Sequence, residues 1–313
     1  MEPALQSHPF TRRVVQAMRK LYPEELADRA WDNVGLLQEN MASDSVPSRV
    51  MLTNDLTLAV AEEAIRKQAS VIVSYHPFIF RGLKSVTLGD PHQRIVLRLA
   101  QHNIAVYSPH TAVDAAPGGI NDWLADMLST VPDLPPIQSR TVAQPIRAGT
   151  LSGGFSPATT GYGRVISLTR PAPLAPIVRA YATALGMQHV MVARPRQRQR
   201  HRHDDDGEDA EPRIRTIAVC AGSGYDVLKD VAADADLIVT GEMSHHNALR
   251  LTMLGKSVLT VFHSNSERGF LKAVLKGQLE EELRKDGGSD EAVEVLVSEE
   301  DADPFEIWAV GKN

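Results

Sequence analysis

The stretch Val71-Ile72-Val73-Ser74-Tyr75-His76-Pro77 reads as a short buried strand that delivers a histidine to the end of a sheet. Two further apolar runs have the same form: Ile104-Ala105-Val106-Tyr107 leads to His110, and Ser257-Val258-Leu259-Thr260-Val261-Phe262 leads to His263. A residue just past such a strand faces the ligand-binding edge of an α/β sheet. Asp114 follows His110 by four residues and Glu267 follows His263 by four, giving two H-x-x-x-[DE] units about 150 residues apart. Imidazole nitrogens and carboxylate oxygens converging on one edge suit a Zn, Mn, Fe or Ni ion, singly or paired. A metal site, and with it a metal-dependent enzyme, is the first expectation.

Outward from residue 71 the chain alternates strand and helix. Val50–Thr53 is a strand, and Leu58 to Lys67 carries the 3.6-residue apolar period of a helix. A helix from about Gln93 to His102 separates the second and third strands, and Asn121 to Leu128 forms another. This βαβαβ rhythm predicts a largely parallel sheet with helices on its faces. Residues 129–157 interrupt it with five prolines and the pair Gly153-Gly154, and read as a crossing between domains. A second unit resumes with a strand at 164–168, a helix at about 174–185 and a strand at 189–193; after the segment 194–213 come strands at 214–220, 237–240 and 257–262, with helices from Tyr225 and through Ala248-Leu251. Ser266-Glu267 opens a long helix to about Arg284, and a last strand spans Val293 to Val297.

Composition narrows the function classes. The 313 residues are enough for two well-packed domains. A formal net charge of −6 offers no global basic surface, so direct nucleic-acid binding is not expected. The single cysteine, Cys220, excludes an internal disulfide, and its apolar neighbours Ile217, Ala218 and Val219 mark it as a buried, inert thiol. No apolar stretch approaches the ~20 residues that cross a bilayer. Arg12, Arg13, Arg19 and Lys20 resemble a transit peptide, but Val14, Val15, Met18 and Leu21 form the stripe of a core helix. The cytoplasm is the expected compartment, with the nucleus and the mitochondrion as alternatives. Segment 194–213 has a basic half and an acidic half with almost no apolar residues, and reads as a flexible charged loop.

Other polar groups admit two readings each. His245 and His246, after Gly241-Glu242-Met243-Ser244, either reach the same sheet edge or form a polar helix start. Asp32 and Asn33 read as turn anchors more readily than as substrate contacts. Gly222-Ser223-Gly224 could cradle a phosphate, though a tight strand-to-helix turn explains it equally well.

Five motifs in order carry a family resemblance: Trp31-Asp32-Asn33-Val34-Gly35-Leu36, Ser74-Tyr75-His76-Pro77, Ser108-Pro109-His110-Thr111-Ala112-Val113-Asp114, Gly241-Glu242-Met243-Ser244-His245-His246 and His263-Ser264-Asn265-Ser266-Glu267-Arg268-Gly269. They resemble the Nif-three-like family (NGG-one interacting factor three), whose members are commonly named GTP cyclohydrolase I type 2 homologues. The Ser-Tyr-His-Pro form looks like the eukaryotic, especially fungal, branch. The resemblance implies an α/β protein of two α/β/α domains with mixed, largely parallel sheets, assembling as a homohexamer. It implies a discontinuous metal-binding domain of residues 1–125 plus 256–313 and an inserted domain of residues 126–255. It implies a dinuclear site with ligands His76, His110, Asp114, His263 and Glu267, holding one or two divalent transition metals (Zn, Fe, Mn or Ni). Bacterial members commonly carry a second histidine where this chain has Tyr75, and a neutral phenol is a poorer ligand. A metal-dependent hydrolase acting on a nucleotide or other small polar molecule is the expected function, with His245 able to shuttle protons. The rival expectation, from another class, is a non-catalytic metal-binding assembly or an interaction partner in transcription.

Overall fold

The computed structural model describes residues 6–42, 47–146, 154–195, 211–286, 293–308 and 310. Residues 196–210, the bulk of the charged loop expected at 194–213, lie outside the described residues. The strands are β1 (Gly35–Gln38), β2 (Arg49–Thr53), β3 (Val71–Ser74), β4 (Ala105–Ser108), β5 (Ile137–Pro145), β6 (Gly161–Pro173), β7 (Met191–Ala193), β8 (Arg213–Cys220), β9 (Leu237–Thr240), β10 (Ser257–Thr260) and β11 (Glu294–Val297). They form two mixed sheets, one in each of two units: residues 1–112 with 270–313, and residues 113–269.

In the first unit the sheet order is β1-β4-β3-β2-β11. The β4-β3, β3-β2 and β2-β11 pairs are parallel, and β1 adds to the edge antiparallel to β4. Alternate strand residues Met51, Ile72 and Val106 pack under the helices Leu58–Arg66 and Pro91–Gln101, against Val60, Ala64, Ile95 and Leu99. Their neighbours Val50, Leu52, Val71, Val73 and Ala105 point the other way and are equally buried. Both faces are therefore covered, which is why these strands are continuous apolar runs rather than alternating ones. The helix Pro91–Gln101 starts two residues before the apolar period suggests, because the Asp90 carboxylate accepts from the amides of His92 and Gln93 and Pro91 occupies the first turn. Helices Pro9–Leu21 and Lys276–Asp286 pack on each other, joined by the ion pair of Lys20 with Glu282.

The second unit has the sheet order β5-β6-β8-β9-β10-β7. Only β8-β9 and β9-β10 are parallel; the β5-β6, β6-β8 and β10-β7 pairs are antiparallel. Residues 137–145 are therefore a strand and not part of a crossing between domains. β5 is an edge strand of half-exposed polar residues flanked by Pro136 and ending on Pro145, positions where a missing N–H breaks no ladder. Ala218, Ile238 and Val258 lead a core completed by Cys220, Leu228 and Leu251. Arg164, on β6, is 2% exposed, and its guanidinium holds the Asp122 carboxylate at 2.7 and 2.9 Å while donating to the carbonyls of Gly161, Gly163 and Ala116. This pins the helix Ile120–Asp126 to the sheet. The charge is matched and its donors are used, the condition under which burying an arginine is tolerable.

The boundaries differ from the expected 125/126 and 255/256. β10 is hydrogen-bonded between β9 and β7, so the segment that carries His263 belongs to the second sheet. The chain returns to the first unit only at Phe270. The long helix expected from Ser266 is divided into a 3-10 turn at Ser264–Ser266, a short helix Arg268–Phe270, a π turn Leu271–Leu275 and the helix Lys276–Asp286. No helix among the described residues is long and apolar enough to cross a membrane.

Candidate metal centre

In the first unit, parallel register places a carboxylate beside a histidine. Thr53 of β2 is aligned with Ser74 of β3, and the pairing continues past both strand ends as Tyr75 and His76 donate to the carbonyls of Thr53 and Asn54. Two residues beyond each strand, Asp55 and His76 thus lie side by side, and His76 Nδ1 is 2.8 Å from Asp55 Oδ1. His110 stands two residues past β4, in a left-handed backbone turn with φ of 32°. Its Nδ1 is 2.7 Å from Asp32 Oδ1, and the other Asp32 oxygen accepts from the hydroxyl and amide of Thr111. The Asp32 side chain is fully buried, which alone would raise its pKa. The bonds from His110, Thr111 and the Asn33 amide outweigh that and hold it below the ordinary carboxylate value. The imidazoles of His76 and His110 are 5.4 Å apart between centroids, and the buried Tyr75 ring meets both edge-on at 5.0 and 5.5 Å.

The second unit repeats the device. Glu242 lies two residues past β9 and His263 three past β10, with His263 Nδ1 2.9 Å from Glu242 Oε1. On the other side of the ring, His263 Nε2 is 3.4 Å from Oε1 of Glu267, a carboxylate only 2% exposed. Gly222, at φ of 59°, is the floor of this pair: a Cβ there would come within 2.6 Å of Glu267 Oε1 and 3.1 Å of His263 Nε2. Asp114, half-buried, is placed through its own carbonyl, which accepts from the Asn121 amide, while the Asn121 oxygen accepts from the amide of Ala221. Burial, then the charges of Asp114 and Glu267, push the Cys220 thiol far up, so it stays neutral and inert.

In all three pairs the Nδ1–H donates to a carboxylate, so the neutral ring keeps its lone pair on Nε2. This is the arrangement that orients a metal-ligating histidine and raises its basicity. At His263 the Nε2 atom faces a buried carboxylate oxygen at 3.4 Å, a nitrogen and an oxygen donor placed to share one ion. The donor set therefore fits a divalent ion.

Several earlier expectations change. Asp32 is more than a turn anchor; it is the partner of His110. Asp55 and Glu242 were not foreseen in this role, although each lies two residues beyond a parallel strand, the position that singled out the histidines. The Gly222-Ser223-Gly224 turn is no phosphate cradle. Its Gly222 amide donates to the Ser266 hydroxyl and its Gly224 amide to the Thr240 hydroxyl, and the helix that follows, Tyr225–Leu228, is a single turn. His245 is exposed at the start of the helix His245–Met253, with its ring 5.4 Å from that of His246.

The sequence signature of the Duf34/NIF3 family (NGG1p interacting factor 3) matches residues 10–304. The chain belongs to that family. It is 38% identical to the NGG1-interacting factor 3 of Saccharomyces cerevisiae over 94% of this chain and 96% of that protein. It is 40% identical to the NIF3 homolog of Schizosaccharomyces pombe over 95% and 97% respectively. Among solved structures, a NIF3-related protein of Bacillus cereus superposes with a TM-score of 0.75 at 20% identity, covering 95% of this chain and 98% of that one. Reduced HcgD of Methanocaldococcus jannaschii gives a TM-score of 0.68 at 19% identity, covering 95% and 99%. At such identities these two structures support the Duf34/NIF3 fold alone.

Proposed function

We propose that this Duf34/NIF3 protein is a metal-dependent hydrolase acting on a nucleotide or other small polar substrate, of the kind named GTP cyclohydrolase I type 2 homologue. In this reading His76, His263 and Glu267 hold one divalent transition metal. His110 and Asp114 complete the set and hold a second ion more loosely, because Tyr75 stands where bacterial members commonly carry another histidine and a neutral phenol is a poorer ligand. The observation that carries the reading is the recurrence of one device: three strand-end histidines, each with Nδ1 bonded to its own carboxylate. A metal-ligating histidine almost always donates its other ring N–H to such a partner, and here the pairing occurs three times. An all nitrogen-and-oxygen donor set suits Zn, Fe, Mn or Ni.

Such an ion polarises the attacked group and lowers the pKa of water. The chain's own residues supply the rest. Asp32, Asp55 and Glu242 fix the ring proton on Nδ1, Tyr75 forms an apolar wall against two of the rings, and His245 is the residue assigned to carry protons to and from solvent. A homohexamer in the cytoplasm completes the proposal. Metal analysis after anaerobic purification tests it: His76→Ala and His263→Ala should each lose most of the bound metal, and unchanged content in both would sink the site.

The name of the S. cerevisiae relative favours a second reading, in which the protein binds a partner in transcription. A partner contact that tolerates both histidine substitutions would support it.

A further inference from the structure

Trp31 is 52% exposed and Phe80 44% exposed, although both are large aromatics in a unit with a well-filled core. Their rings are 6.0 Å apart between centroids at an angle of 53°, and the Trp31 indole meets the His110 imidazole edge-on at 5.8 Å. The indole is not loose. Its Nε1–H donates to Asp28 Oδ2 at 2.9 Å, and the Trp31 amide donates to the Asp28 carbonyl at 3.4 Å. Asp28 is itself tied to the His110 turn, its amide donating to the Thr111 hydroxyl at 3.0 Å. A half-exposed aromatic face held rigid beside a candidate metal ligand has already lost the rotamer freedom that binding would otherwise cost.

The loop that carries Phe80 also carries Arg81 and Lys84, both exposed. Neither makes an ion pair among the described residues, so both the guanidinium and the ammonium group are open to an anion. Two cations without a carboxylate partner, within four residues of an aromatic corner, match a ligand that is flat at one end and anionic at the other.

We propose that Trp31 and Phe80 form a stacking platform for the planar ring of the substrate, with Arg81 and Lys84 receiving its phosphate, so that the ligand is a nucleotide seated beside His110. The inference deepens the hydrolase reading and rests on it for the chemistry, but its test reads binding alone. Stacking on one aromatic face contributes about tenfold or more to affinity. Trp31, the more exposed of the two rings and fixed by Asp28, supplies the stacking surface.

Titration calorimetry with guanosine monophosphate, guanosine and ribose 5-phosphate provides the test, on metal-loaded protein with metal content measured in parallel. The monophosphate should bind the wild type, ribose 5-phosphate at least tenfold more weakly. Trp31→Ala should raise the Kd for the monophosphate at least tenfold, and Trp31→Phe should restore most of it. The Arg81→Ala/Lys84→Ala double variant should weaken the monophosphate severalfold and leave guanosine unchanged. Metal content should not move in any of these variants, so a failed platform is distinguishable from a failed metal site, which His263→Ala reports. Equal affinity of wild type and Trp31→Ala, or no nucleotide binding at millimolar concentration, overturns the proposal. A change of assembly mass in Trp31→Ala by light scattering also overturns it, since the aromatic corner would then be a contact between copies.

Discussion

Gly222→Ala is the substitution that strikes the second unit's ligand pair without touching either ligand. Alanine at φ of 59° costs about 1 kcal/mol for its backbone conformation. Its Cβ would also sit 2.6 Å from Glu267 Oε1 and 3.1 Å from His263 Nε2. The atoms met are side-chain ends, but Glu267 is only 2% exposed, so moving its carboxylate disturbs buried neighbours and the overlap adds about 1–3 kcal/mol of overpacking. The total is roughly 2–4 kcal/mol of stability lost, together with displacement of two proposed ligands. Gly118→Ala is the internal control: Gly118 has φ of 70° with nothing within 4 Å of the added Cβ, so it carries the conformational cost alone. Urea denaturation of chelated protein reads the first effect, and metal retained per chain reads the second. Gly222→Ala should be clearly less stable than Gly118→Ala and should retain far less metal. If the two variants behave alike in both assays, the close approach of Gly222 to the pair does not matter and the geometric reasoning is wrong.

Two further outcomes are expected. Tyr75→His should raise the metal retained per chain after mild chelation, because an imidazole replaces a phenol whose ring already lies against His76 and His110; identical loss curves would show that position 75 has no bearing on the second ion. Glu63, buried in the helix Leu58–Arg66, is shifted upward by burial but downward more strongly by the Lys67 ammonium, the Ser298 hydroxyl and the amides of Glu299 and Glu300, to about 2. A folded pKa below the unfolded one means that this stabilisation is complete above the unfolded value, near 4.5, and is lost as pH falls towards about 2. Glu63→Gln should therefore cost roughly 1–3 kcal/mol at neutral pH and converge on the wild type in acid, as followed by thermal melts across that range. Parallel curves at all pH values would refute the assignment.

The parallel half of the fold was legible because its strands are buried on both faces. Val71–Val73 and Leu237–Val239 are uninterrupted apolar runs bounded by polar turns, the pattern that a parallel sheet covered on both faces asks for. The antiparallel edges were not. β5 reads Ile-Gln-Ser-Arg-Thr-Val-Ala-Gln-Pro, with prolines before and at its end, a composition indistinguishable from a loop. Its hydrogen bonds are to β6 some twenty residues on, and no local propensity records them. The same blindness displaced the domain boundary. Whether Ser257–Thr260 joins one sheet or the other depends on which edge accepts it, and β9 and β7 do so through backbone groups that every sequence carries.

The site divides along the same line. Histidines at strand ends were visible because imidazole is rare and its spacing to a following carboxylate repeats. Their partners were invisible because aspartate and glutamate at turns are common and have ready local explanations, as Asp32 did in Trp31-Asp32-Asn33. Yet the partners follow from one rule applied twice. Adjacent parallel strands present the residues past their ends side by side, so Asp55 beyond β2 meets His76 beyond β3 in register, and Glu242 beyond β9 meets His263 beyond β10 with an offset of one residue. His110 lies outside that rule, because its neighbour on the free side, β1, runs antiparallel. Its carboxylate arrives instead from the turn before β1, where Asp32 precedes Gly35 by three residues. Strand direction thus decides where each histidine finds its carboxylate: past the end of a parallel neighbour, or before the start of an antiparallel one.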